Sequence, residues 1–175
     1  MNKKTGMILI ACALCMFNSC NLTAQTAAFE RDAVLTAATV QAFAEHHAAL
    51  FSDIRNTREG NWLAVPQNNI SPRKMLDNIA ESVPPKSIQA IFKQYGLNPA
   101  KGHLQIAVMQ YGIVALEIEE ALTEVAALKR TKREQAADKK VAAYLGELKS
   151  QINSADLSLI RAYRTQLRPI FNTGD

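Results

Sequence analysis

The stretch from Phe29 to Ile54, FERDAVLTAATVQAFAEHHAALFSDI, decides the fold class. Its seam positions are Phe29, Ala33, Thr36, Val40, Phe43, His47, Leu50 and Ile54, in alternating steps of four and three. Such steps return each residue to one side of an α-helix, so the run predicts a long amphipathic helix. Leu35, Ala37, Ala44 and Phe51 widen the stripe, and Thr36 and His47 interrupt it with polar groups.

Outward from this helix the pattern stays helical. Asn56 to Ile70, with Gly60, Pro66 and the asparagines Asn61, Asn68 and Asn69, reads as an irregular loop. Ser71-Pro72 is a helix start, with Ser71 as N-cap and Pro72 in the first turn. That helix carries Met75, Leu76 and Ile79 and ends before Pro84-Pro85. A second short helix carries Ile88, Ile91, Phe92 and Tyr95 and stops at Gly96, after which Asn98-Pro99 turns the chain. A further long stripe follows at Leu104, Val108, Tyr111, Ala115, Ile118, Leu122 and Val125, with Gly112 inside it. A glycine there costs ~1 kcal/mol relative to alanine and is tolerated where another helix packs closely.

The stripe lapses over Lys129 to Gln135 and resumes at Ala137, Val141, Tyr144, Leu148 and Ile152, out of phase by roughly 140° at about 100° per residue. Either the helix breaks near Arg130 to Glu134, or one helix buries opposite faces. An unbroken helix of ~50 residues would span ~75 Å, so compactness favours the break. Asn153-Ser154 caps a last helix with Leu157, Ile160, Tyr163 and Leu167, ending before Pro169. With no alternating β-branched run, the expected fold is all-α: a helical bundle of long amphipathic helices, with two short helices after an irregular loop.

Ahead of the bundle lies a different signal. Lys3 and Lys4 precede Gly6 to Phe17, an uncharged and largely apolar run shorter than the ~20 residues of a membrane span. Phe17-Asn18-Ser19-Cys20 then resembles the lipobox of a bacterial lipoprotein signal peptide, in which a small residue precedes the lipid-bearing cysteine. Phe17 stands where that pattern usually has Leu. The resemblance implies lipid attachment at Cys20 and, with Asn21 following, the outer membrane in a Gram-negative host. Ordinary cleavage after Leu22-Thr23-Ala24 would instead release a secreted or periplasmic protein. Residues 1–19 thus read as signal peptide, 20–26 as lipid anchor and tether, and 27–175 as one helical domain. The tether, Asn21 to Thr26, reaches about 20 Å.

Composition narrows the chemistry. The three cysteines are Cys12, Cys15 and Cys20, which leaves no thiol in the helical domain for a disulfide, metal site or nucleophile. Removing Lys3 and Lys4 from the 20 cations leaves 18 against 16 anions, a net of +2 and no nucleic-acid footprint. His46 and His47 point about 100° apart on a helix and cannot share an ion. No Glu-x-x-His or His-Glu-x-x-His spacing occurs, so neither a metal nor a cofactor is expected. Gly-x-Ser-x-Gly is missing as well, and no catalytic residue is assigned. Glu117, Glu120 and Glu124 share a helix face, which reads as a solvated row neutralised by the basic knot Lys129-Arg130-Thr131-Lys132-Arg133. That knot could meet anionic lipid headgroups, though a solvated surface is its simpler reading.

One stretch invites a binding role. Trp62, the only tryptophan, stands in the 56–70 loop beside Asn61, Leu63 and Val65, an apolar anchor within a polar rim. The competing reading folds Trp62 back over the helix ends. The functional expectation is a non-enzymatic protein, lipid-anchored outside the cytoplasm and acting through protein–protein contacts with an envelope partner. Its role would be accessory, assembly or surface interaction. The alternative is a bundle that encloses a small or hydrophobic ligand, lined by Phe43, His47, Tyr111 and Tyr144.

Overall fold

The computed structural model describes residues 31–62, 72–126, 128 and 131–171. Seven helices are present among them: α1 (Ala37–Arg55), α2 (Pro72–Glu81), α3 (Lys86–Gln94), α4 (Gly102–Ala126), α5 (Lys132–Ser150), α6 (Ser154–Ala162) and α7 (Arg164–Phe171). No strand occurs among the described residues, and the fold is an all-α bundle. Helix α4 is its hub, packed against α2, α5, α6 and α7, while α1 packs against α3, α6 and α7.

Helix α1 keeps the predicted seam but starts later than its periodicity suggests. Val40, Phe43, Leu50 and Ile54 are buried. Thr36, expected within the seam, is instead the N-cap, its hydroxyl accepting from the Thr39 N–H at 3.1 Å. The chain before it is not helical, because side chains of other helices engage its backbone at Arg31, Val34 and Leu35. Phe29 lies outside the described residues, as do the leader, Cys20 and the tether.

The two short helices follow the sequence signals closely. Ser71 is outside the described residues, but α2 begins at Pro72 and ends before Pro84-Pro85. Helix α3 stops at Gly96, whose φ of 74° is left-handed. The Leu97 N–H donates to the Phe92 carbonyl at 2.9 Å and the Gly96 N–H to the Lys93 carbonyl at 3.2 Å. Leu97 and Phe92 are both buried, which completes a Schellman ending with its apolar contact.

The long C-terminal pattern resolves into a break. Helix α4 ends at Ala126 and α5 starts at Lys132 behind a capping box: Thr131 Oγ1 accepts from the Glu134 N–H, and the Glu134 carboxylate accepts from the Thr131 N–H at 2.7 Å. Every residue from Gly102 to Met109 is buried, so the first two turns of α4 are covered on all sides rather than along one stripe. A Cβ at Gly112 would stand 2.3 Å from Ile160 Cδ1, which is the close helix contact that glycine permits.

Two expectations at this end are corrected. Val141 and Tyr144 of the α5 stripe are exposed, and Leu148 is the one buried residue of that helix. The last predicted helix is two, α6 and α7, broken at Tyr163, and α7 runs through Pro169 to Phe171. Pro169 is exposed in the final turn, where it removes one N–H donor without ending the helix, and the turn brings Phe171 to stack on Phe43 at 5.6 Å.

Candidate functional site

Helices α4, α6 and α7 enclose an open cleft of about 470 Å³, lined by Leu116, Glu119, Glu120, Thr123, Glu124, Arg161 and Arg164. Its geometry follows from spacing. The acids recur along α4 in steps that keep them on one side, and Arg161, Arg164 and Arg168 recur on α6 and α7 in steps of three and four. Where the helices pack, the two rows meet. Arg168 Nε lies 3.1 Å from Glu117 and Arg161 3.3 Å from Glu119; Arg164 pairs with Glu120. Lys149 of α5 adds a second cation to Glu119 at 3.0 Å.

This row was expected to be neutralised by the basic knot. Among the described residues, Arg168 and Arg164 pair with Glu117 and Glu120 of that row, because α6 and α7 lie along α4, whereas Lys132 and Arg133 open α5 as exposed residues. Lys129 and Arg130 lie outside the described residues. The pairing sets the protonation states. The Lys149 hydrogen bond, helped by Arg161, holds Glu119 below the usual carboxylate range against some desolvation. Arg164 does the same for Glu120 and is itself raised by it. Carboxylates kept ionised in this way suit recognition of charge and make weak proton donors at neutral pH.

A second polar cluster is buried. His103, near the start of α4, has its Nε2–H donating to the Ile79 carbonyl at 2.7 Å, while its buried Nδ1 has no partner among the described residues. The Trp62 ring meets the imidazole edge-on at 5.1 Å and Phe92 stacks at 6.4 Å. Burial pushes the His103 pKa down, against the Ile79 and Ser82 backbone groups, which favour the cation.

The third cluster holds the chain ahead of α1. Asp156, 1% exposed in the first turn of α6, accepts the N–H groups of Val34 at 3.0 Å and Leu35 at 2.9 Å. Gln105 donates to the Val34 carbonyl at 2.8 Å and Asn153 to the Arg31 carbonyl at 2.9 Å. Arg31 pairs with Asp77 of α2 at 2.6 Å. Burial raises the Asp156 pKa, opposed by the two backbone N–H groups. Its work is to satisfy the polar backbone of a non-helical segment.

The residues singled out from sequence are scattered across these features. Trp62 is half-buried against His103 and the core, Asn61 beside it is exposed, and Leu63 and Val65 lie outside the described residues. Phe43 is enclosed by His47, Phe51 and Phe171, Tyr111 is half-buried, and Tyr144 is exposed. His46 is exposed and His47 bonds the Ala44 carbonyl at 3.1 Å. Among the described residues no three or more acids, histidines or cysteines group to hold a metal ion, and no helix is long and apolar enough to cross a membrane.

His103 and Gln105 do not stand out in the sequence, since a helix turn buried on all sides leaves no polar face to compare them with, and Asp156 reads as an ordinary first-turn acid. The spacing of Arg161, Arg164 and Arg168 was a usable signal for the cleft. No protein-family model, curated protein or solved structure matches this chain.

Proposed function

We propose that this protein is a non-enzymatic, lipid-anchored helical factor of the bacterial envelope that works by protein–protein contact, with the α4–α6–α7 cleft as its contact site. The observation that carries the reading is the ladder of ion pairs in that cleft. Its carboxylates and guanidiniums are set in order along packed helices and open to solvent, with Glu119 and Glu120 held ionised by their partners. That is a surface able to read the charge pattern of a polypeptide, and charge complementarity governs partner choice and encounter rate. The filled surroundings of Phe43 also favour contact at the surface over a ligand enclosed in the core.

Anchor and contact are tested separately. Cys20→Ser should shift the protein from the membrane fraction into soluble extracytoplasmic material, and an exported form beginning at Gln25 without added lipid would refute the anchor. A photo-crosslinking residue at Thr123 should yield one discrete heavier species in intact cells, lost with Arg161→Glu. Crosslinking indifferent to that charge reversal would discard the cleft as the site.

A further inference from the structure

Helix α5 is a 19-residue helix with a single buried side chain, and its charges are segregated. At about 100° per residue, Lys132, Arg133, Lys139 and Lys140 fall within an arc of roughly 120°. Glu134 and Asp138 fall on the opposite side, with buried Leu148 and half-buried Leu145. Glu147 is the one acid within the cationic arc. None of the four cations pairs with an acid among the described residues. Between them stand the small side chains Ala136 and Ala143, both exposed, so a flat surface can come close.

The position of this face matters as much as its charge. Arg31, where the described chain begins, is bonded through its carbonyl to Asn153, three residues beyond α5, and through its guanidinium to Asp77 of α2. Helix α2 packs on α5. Arg31 is therefore held near the C-terminal end of α5, and the 11 residues from Cys20 to Glu30 can span at most about 38 Å. Helix α5 is about 28 Å long, within that radius.

We infer that the outward face of α5 is a second membrane contact, taking the anionic headgroups of the bilayer that holds the lipid anchor. The inference rests on the anchored reading for its geometry, while the charge of the face can be tested without it. Cations near an anionic leaflet add their attractions, so the face supplements the hold of the lipid anchor. A domain held at both places would also have a defined orientation, with α5 toward the lipid.

The test uses the exported protein carrying Ala143→Cys, whose mass is read first to establish whether Cys20 bears lipid. The new thiol is labelled with an environment-sensitive fluorophore, and the protein is presented to vesicles of phosphatidylcholine alone or with phosphatidylglycerol. The label should be shielded from an aqueous quencher on the anionic vesicles only. Shielding should weaken about fivefold for each cation changed to Gln and disappear at high salt. A lipid-free mass overturns the anchor alone, because co-sedimentation of that soluble form with anionic vesicles still reads the face directly. Equal quenching on both vesicles overturns the inference. So does shielding that survives Lys132→Gln, Arg133→Gln, Lys139→Gln and Lys140→Gln together, or that requires an added acidic protein in place of anionic lipid. If the fourfold variant loses helicity, insensitivity of the parent protein's shielding to salt overturns the inference equally.

Discussion

Asp156 reaches across 121 residues of sequence to accept the backbone N–H of Leu35 at 2.9 Å, and its other oxygen takes the N–H of Val34. This carboxylate does for the non-helical 34–35 segment what a neighbouring strand would do in a sheet. The segment leads into α1, so its capture sets where that helix begins.

Asp156→Ala should therefore destabilise the protein by ~2–4 kcal/mol in urea unfolding, since a buried and a half-buried backbone donor lose a charged acceptor. Asp156→Asn, which retains one acceptor oxygen, should cost less. Because burial raises the Asp156 pKa in the fold above its ordinary 3.8, the folded state holds the proton more tightly than the unfolded chain. This residue's share of stability should accordingly grow as pH falls through the raised value toward 3.8. Asp156→Asn should remove that component from the stability–pH curve.

His103 acts in the opposite sense. Its pKa is depressed below 6.5, so the unfolded chain binds the proton more readily and stability should fall as pH drops from about 6.5 through the depressed value. Thermal melts of wild type and His103→Phe across that range check it, and the variant should show a flatter profile.

Gly112→Ala should cost ~1–3 kcal/mol despite alanine's better helix propensity, because the new methyl meets the Ile160 side chain. Adding Ile160→Val should recover part of the loss. The coupling between the two changes, measured as a double-mutant cycle, distinguishes this clash from a general weakening of α4.

Trp62→Ala removes an edge-on contact with His103 and a half-buried indole, at an expected ~2 kcal/mol. Unchanged thermal stability with loss of partner crosslinking would instead identify the 56–70 loop as a contact site.

Amide exchange should be fastest in α5 among the longer helices, since only Leu148 anchors it in the core. Hydrogen exchange read by mass spectrometry should show α4 protected at times when α5 is already exchanged. Equal protection of the two would show that α5 is held by more than its burial indicates.

Local chemistry determined a good deal by itself. The four-and-three spacing around Val40, Phe43, Leu50 and Ile54 defines a buried helix face in any context, and Gly96 ends a helix because its left-handed conformation suits few other residues. Thr131 and Glu134 form a capping box from residues three apart, so the break before α5 was legible even without Gly or Pro. The tertiary structure alone decided which polar residues matter. Asp156 reads as an ordinary first-turn acid until Val34 and Leu35 are brought to it, and the Glu117–Glu120 row has no partner until α6 and α7 lie along α4. It also decided that α5 would leave Val141 and Tyr144 exposed, because periodicity names a helix's apolar side but not whether a neighbour covers it. Those outcomes depend on contacts between residues far apart in sequence, where loop closure and packing, not local preference, set the energy.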